Sequence, residues 1–317
     1  MSKYVGIQGQ IRSNNRKSIL LLLAFPTLVL AAVYAFIYLT SFDETVGGIN
    51  SQMVKDDFIA SIPATLIIVG IWFSIAFFFN VKMIQSATGA RPLERKENMR
   101  IYNLTENLCI SKGMKMPKIN VIPDPSLNAF ASGINEKTYT VTLTQGIIDK
   151  LNDDELEGVI AHELMHIRNN DVKLLIISIV FVGIFSLVAQ MLFRMLIYGG
   201  GRRRGKDNKG GGALIIALVI AAIAYFLSLI FKFAISRSRE YMADSGAAEM
   251  TRNPRALASA LRKISGNSEV DTLKSEDVSA LFIDNSSKNK KGFASMISGI
   301  FATHPPIEKR IKLLEEF

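Results

Sequence analysis

The stretch VIAHELMHIRNND, residues 159–171, decides how this chain is read. It holds two of the three histidines in 317 residues, His162 and His166, with Glu163 between them. Ahead of it Asn152 is a good helix N-cap, and Glu155 three residues later completes the pattern of a capping box. Asp153 and Asp154 fall in the first turn, where negative charge favours the helix dipole. Leu156, Val159, Ile160, Leu164 and Ile167 supply one apolar face. On such a helix His162 and His166 lie one turn apart on a shared face. Two imidazoles so placed reach one zinc ion, and Glu163 can act on a water held there.

Catalytic zinc takes three protein ligands and keeps one position open. His304, the remaining histidine, would give an all-histidine site. No third histidine follows at short spacing, since the chain from Ile167 reads IRNNDVKLL. A carboxylate on a second helix is the other route, and SRSREYMADSGAA, residues 236–248, fits it best. Glu240 and Asp244 are four apart and share a helix face, so Glu240 can ligate the metal while Asp244 orients a ligand histidine. The plain alternative is a solvated Glu240 paired with Arg237 or Arg239.

Four apolar runs are each long enough for the ~20 helical residues that cross a bilayer. They are Ser18–Thr40, Ile62–Val81, Leu174–Tyr198 and Ala213–Ile235. The first ends in bulky residues rather than a small-residue cleavage site, so it reads as a retained anchor. The chain is 49% hydrophobic with a net charge of +9. On a membrane protein that charge means positive-inside bias and attraction to the lipid bilayer, and no nucleic-acid motif accompanies it. The single cysteine, Cys109, excludes an internal disulfide and a multi-cysteine zinc site, and reads as packed on the apolar side of a helix.

The predicted organisation is an N-terminal anchor over 1–83 with two transmembrane helices, and a first polar segment over 84–172 with the edge strand and the HExxH helix. A hydrophobic helical hairpin follows over 173–235, and a second polar segment with the carboxylate candidate over 236–317. KINVI (118–122) alternates like a strand, and LNAFASG (127–133) with TYTVTLT (138–144) reads as a hairpin. Pro92–Ile110 has helical spacing, with Met99, Tyr102, Leu104, Leu108 and Cys109 as its buried face. Helices are predicted at Ser238–Thr251, Pro254–Ser265 and Pro306–Glu316. The linker GGGRRRGKDNKGGG (199–212) and the loop NSSKNKKG (285–292) read as flexible. The fold class is therefore membrane α+β: four hydrophobic helices plus a mainly helical domain with a small β-sheet, a domain that the resemblance given next implies is a zincin-like metalloprotease domain.

HELMHIRNND, then SRSREYMADSGAA, then THPPIEKRI resembles the HtpX family of membrane-integrated zinc metalloproteases, gluzincins related to the CAAX prenyl proteases. The resemblance covers nearly the whole chain. It implies His162, His166 and Glu240 as ligands of one Zn2+ per chain and Glu163 as the catalytic base. It implies Asp171 and Asp244 as carboxylates behind the ligands, and Asn128, Ala129 and Phe130 as an edge strand along the substrate backbone. His304 resembles the family's late histidine, which could donate to the oxyanion; the other reading is a histidine preceding a Pro-started helix. Arg310 reads either as a partner of a site carboxylate or as a solvated helix charge.

The implied activity is endoproteolysis of misfolded or damaged membrane proteins, a quality-control role at a bacterial inner membrane. The rival functions are a narrow CAAX-type processing protease and a catalytically silent membrane scaffold. The basic residues Lys3, Arg12, Arg16, Lys17, Lys82, Arg91, Arg95, Lys96 and Arg100 flank the first two runs, and Asp43, Glu44, Asp56 and Asp57 lie between them against only Lys55. This places the N-terminus and the site in the cytoplasm. The basic linker points the other way, so either the first helices dominate or the last two runs form a shallow hairpin.

Overall fold

The structure, a computed structural model, describes residues 7–43, 48–199, 209–233, 238–265 and 305–317. His304, the 285–292 loop and the 200–208 part of the basic linker lie outside the described residues. Two compact units interleave along the chain. One comprises Met1–Lys17, Phe79–Ile176 and Phe233–Phe317, the other Ser18–Phe78 and Ile177–Lys232.

The second unit is built from apolar helix. α1 (Ile7–Thr40), α2 (Ser51–Thr88) and α6 (Asp171–Gly199) supply three segments long and apolar enough to cross a bilayer: Ile11–Thr40, Ser51–Phe79 and Asp171–Met195. In α7 (Lys209–Phe233) the apolar stretch Gly212–Leu227 is shorter. Phe25 of α1 stacks on Phe181 of α6 with ring centroids 4.2 Å apart. Tyr34 of α1 meets Phe58 of α2 edge-on at 5.2 Å. A short ribbon of β1 (Phe42–Asp43) and β2 (Gly48–Ile49) joins α1 to α2.

The first unit combines a four-stranded mixed sheet with helices. Its strands are β3 (Arg91–Pro92), β4 (Lys118–Ile122), β5 (Ala129–Ser132) and β6 (Thr140–Thr144), in the order β3-β4-β6-β5. The expected hairpin forms, with Ala129 opposite Leu143 and Ser132 opposite Thr140, and β4 runs parallel to β6. Gly133 ends β5 at φ 105°, and a Cβ there would lie 2.3 Å from the Thr138 carbonyl oxygen, so the turn requires glycine. Between the strands α3 (Met99–Ser111) buries Ile101, Thr105, Leu108 and Cys109. Met99, expected on that face, is exposed because it is the first helical residue. Burial beside Glu106 pushes the Cys109 thiol up to about 11.

After the short α4 (Gln145–Lys150), α5 (Asp153–Arg168) carries the HELMH motif through the centre of this unit. It packs on α3, β5, α8 (Ser238–Thr251) and α9 (Pro254–Ile264). The capping box forms reciprocally: Glu155 N donates to Asn152 Oδ1 at 2.9 Å, and Asn152 N donates to Glu155 Oε2 at 3.0 Å. Glu155 also reaches α9, accepting from Ser259 Oγ at 2.7 Å and Lys263 Nζ at 2.6 Å. α10 (Ile307–Glu315) closes on α8 and α9 and buries Arg310 and Leu314.

Burial opposes the Glu155 charge, but Lys263, Ser259 and the Asn152 amide outweigh it and hold its pKa below the ordinary carboxylate value. Such a group stabilises the fold above its unfolded pKa of ~4.3, and the contribution disappears as pH falls through the lower folded value. Glu155→Gln is expected to cost ~1.5–3 kcal/mol at neutral pH, the range for hydrogen bonds to a charged group. Thermal unfolding of detergent-purified parent and variant should therefore differ at pH ~7 and converge below pH ~4.

Candidate metal centre

The site draws six polar residues from three helices. His162, Glu163 and His166 lie on α5, Glu240 and Asp244 on α8, and Arg310 on α10 brings in a cation. Small residues let α8 approach α5: Ala243 and Ala247 are fully buried, and a Cβ on Gly246 would fall 2.4 Å from Met165 Cε. This close approach brings Glu240 to the two histidines.

His162 Nε2 and His166 Nε2 are 3.1 Å apart. Glu240 Oε2 stands 3.6 Å from the first, and its Oε1 3.5 Å from the second. Four tetrahedral ligands at 2.0–2.1 Å from zinc sit about 3.3 Å from one another. The three side chains therefore offer ligand atoms at the spacing one such ion needs, all within 4.8 Å of one another.

Each histidine is aimed from behind by a carboxylate. His162 Nδ1 lies 3.0 Å from Asp244 Oδ1, and His166 Nδ1 lies 3.0 Å from Asp171 Oδ2. These contacts place the ring proton on Nδ1 and leave both Nε2 lone pairs facing the cluster. Two lone pairs and a carboxylate brought this close repel one another, and a metal ion, a proton on His162 or the neighbouring Arg310 guanidinium relieves that repulsion. Burial and the Arg310 charge push His162 towards neutrality, but hydrogen bonds to Asp244 and Glu240 outweigh them and raise it to about 9. A proton and a metal ion would compete for that same lone pair.

The Asp171 contact depends on a corner. In an unbroken helix, residues five apart point roughly 140° away from each other. Here α5 ends at Arg168, Asn170 adopts φ 57°, and α6 begins at Asp171. Asparagine tolerates this left-handed conformation better than most residues. Tyr139 Oη donates to the Asn170 side chain at 3.1 Å.

Arg310 is 1% exposed, which removes the reading of it as a solvated charge. Its Nε and Nη2 donate to the two oxygens of Asp244 at 2.9 and 2.8 Å. Nη1 is 3.3 Å from Glu240 Oε2, and Nη2 is 3.2 Å from His162 Nε2. Burial opposes the guanidinium charge, but Asp244, Glu240 and Glu163 raise the Arg310 pKa. Burial would raise the Asp244 carboxyl, but Arg310 and His162 overcome this and bring it down to about 2. Arg239 is not a solvated surface charge, and the Asp171 and Glu240 carboxylates act on its guanidinium. It is buried, and its Nη1 donates to the Asp171 main-chain oxygen at 3.3 Å.

Glu163 is 2% exposed and sits between the two histidines in sequence. Glu163, Asp171, Glu240 and Asp244 are thus four buried carboxylates against two buried guanidiniums, Arg239 and Arg310. Among the described residues two negative charges are left over, which one divalent cation would balance and a proton on His162 would offset only by half. Ala129 and Phe130 lie in β5, an edge of the sheet, and Asn128 directly precedes it. All three are at most 1% exposed, so this edge is not open to solvent. The sequence reading missed Asn14, whose side chain donates to Asp171. No local pattern in the sequence could have placed it there, because 157 residues separate the two.

Peptidase family M48 matches residues 95–317. A "Protease HtpX homolog" of Bacteroides fragilis is 58% identical over 321 residues, covering 99% of this chain and 100% of the relative. Another, from Listeria monocytogenes, is 35% identical over 320 residues, covering 96% and 98%. Among solved structures, the crystal structure of S. mikatae Ste24p aligns with a TM-score of 0.44 and 18% identity, over 96% of this chain and 66% of that one. With a family match over most of its length and a relative aligned end to end, this chain belongs to peptidase family M48, among the membrane metalloproteases of HtpX type.

Proposed function

We infer that the chain is a membrane-anchored zinc endopeptidase in which His162, His166 and Glu240 hold the ion and Glu163 is the general base. The observation that carries this is the convergence of His162 Nε2, His166 Nε2 and Glu240 at zinc-ligand spacing, each histidine backed by a carboxylate. Bound there, zinc supplies Lewis acidity, letting water lose a proton near neutral pH and polarising the scissile carbonyl.

The residues do the rest. Glu163 takes one proton from the attacking water and passes it to the amide nitrogen as the C–N bond breaks. The water oxygen ends on the acyl product, and the carboxylate returns to its starting state. Asp171 and Asp244 hold the imidazoles in their ligating tautomer. Arg310 keeps Asp244 ionised and in place. His304 is assigned to hydrogen-bond the oxyanion; Arg310, six residues on, reaches the site in support of this. Asn128, Ala129 and Phe130 are assigned to the substrate backbone, which would add to β5 as a further strand. Backbone pairing selects weakly among side chains, which suits disposal of misfolded or damaged membrane proteins.

The cytoplasmic face of a bacterial inner membrane is the proposed location, with several crossings. The bacterial relatives and the basic residues around the first two apolar runs support it.

Glu163→Gln is expected to retain zinc and lose ~10²–10⁴-fold in casein cleavage, the usual contribution of a general base. Equal cleavage by parent and variant, with matched metal content, would remove Glu163 from this role. Removing the ion with a chelator should abolish cleavage, and stoichiometric zinc should restore it. His166→Ala and Glu240→Gln should each bind zinc more weakly than the parent in a competition titration. Zinc retained without cleavage by the parent would favour a narrow processing protease or a silent scaffold.

A further inference from the structure

Asn14 lies on α1, four residues ahead of the apolar run that starts at Ser18, and its exposure is 0%. Its amide Nδ2 donates to Asp171 Oδ1 at 2.6 Å and to the Asn169 main-chain oxygen at 2.9 Å. The other oxygen of Asp171 faces His166 Nδ1. Two successive hydrogen bonds therefore connect α1 to an imidazole of the ligand cluster.

Packing alone does not explain an asparagine here. A buried amide is costly unless it is bonded, and an apolar residue would fill the space without that cost. Asp171 needs a second anchor, because one hydrogen bond to His166 leaves its carboxylate free to rotate. Arg239 Nη1 is 3.9 Å from Oδ1, beyond hydrogen-bond range. Asn14, at 2.6 Å, holds that oxygen. It also grips the Asn169 carbonyl beside the left-handed Asn170, whose side chain in turn donates to Asn15 Oδ1 at 3.3 Å. The segment before the first apolar run thus fixes both the carboxylate and the corner that presents it.

We propose that Asn14 is a positioning residue of the metal centre: it locks Asp171, and through Asp171 it sets the orientation of His166. This makes the start of α1 part of the metal site rather than an anchor alone. The proposal rests on the ligand assignment above.

The test uses the full chain in detergent and reads metal binding rather than turnover. Zinc affinity is measured by competition with a chromophoric chelator, and ligand geometry by the visible spectrum of the cobalt-substituted protein. Direct partners of ligand histidines are worth 10–100-fold in metal affinity, so Asn14→Ala, one bond further out, is expected to weaken zinc binding about tenfold and to alter the cobalt bands. Asn14→Asp, equal in size but setting oxygen against oxygen, should weaken it at least as much. In an Asp171→Ala background, Asn14→Ala should change affinity no further.

Affinity within about twofold of the parent and an unchanged cobalt spectrum in both Asn14 variants would overturn the proposal. So would losses that add in the double variant, or a metal-free form of both Asn14 variants that fails to fold, since Asn14 would then act on stability. If His166→Ala and Glu240→Gln bind zinc as the parent does, the ligand assignment is what fails, and the Asn14 proposal falls with it.

Discussion

The site is governed by the need to keep buried charge balanced. Removing a carboxylate or a guanidinium from water costs several kcal/mol unless it is paired and hydrogen-bonded. Here Asp244 and Arg310 meet that need together, their two parallel hydrogen bonds joining α8 to α10 in a buried pair. That pair fixes the carboxylate behind His162. On the other side, Asn14 and the His166 ring divide the two oxygens of Asp171. The histidines are thus not merely carried on a helix; each is gripped from behind by an acid that is itself gripped. What remains unbalanced after these pairs is concentrated where the Nε2 atoms and Glu240 meet.

Much of this was legible in the sequence where the signal is local. The capping box of Asn152 and Glu155, the 129–144 hairpin and the limits of α8 follow from spacing and turn chemistry, and they form as read. The clustering of Glu240 with the two histidines follows from the same periodicity plus a motif with a known chemical purpose. Arg310 was ambiguous because a helix at low sequence hydrophobicity offers no sign of which charge turns inward. Asn14 was invisible. A polar residue just ahead of an apolar run looks like the wet end of an anchor, and only tertiary structure reveals its partner.

The small-residue contact of α8 on α5 shows how backbone geometry serves the chemistry. Ala243, Gly246 and Ala247 lie on the side of α8 that carries Glu240 towards the histidines, and larger residues would hold the helices apart. The left-handed Asn170 plays the matching part on the other side, turning the chain so that Asp171 faces back. Neither feature touches a metal ligand's reactive atom, yet both set where those atoms lie.

The sequence distances across the site carry one more consequence, for the order of folding. Arg310 meets His162 across 148 residues, and Asn14 meets Asp171 across 157. Contacts of such long range form late, because a large loop must close before they contribute. A partly folded copy can form α5, with both histidines in place, while still lacking Glu240, the Arg310 guanidinium and the grip on Asp171. The full constellation therefore arrives only with the completed tertiary structure, so that a chain still searching for its fold carries the two histidines without the groups that aim them.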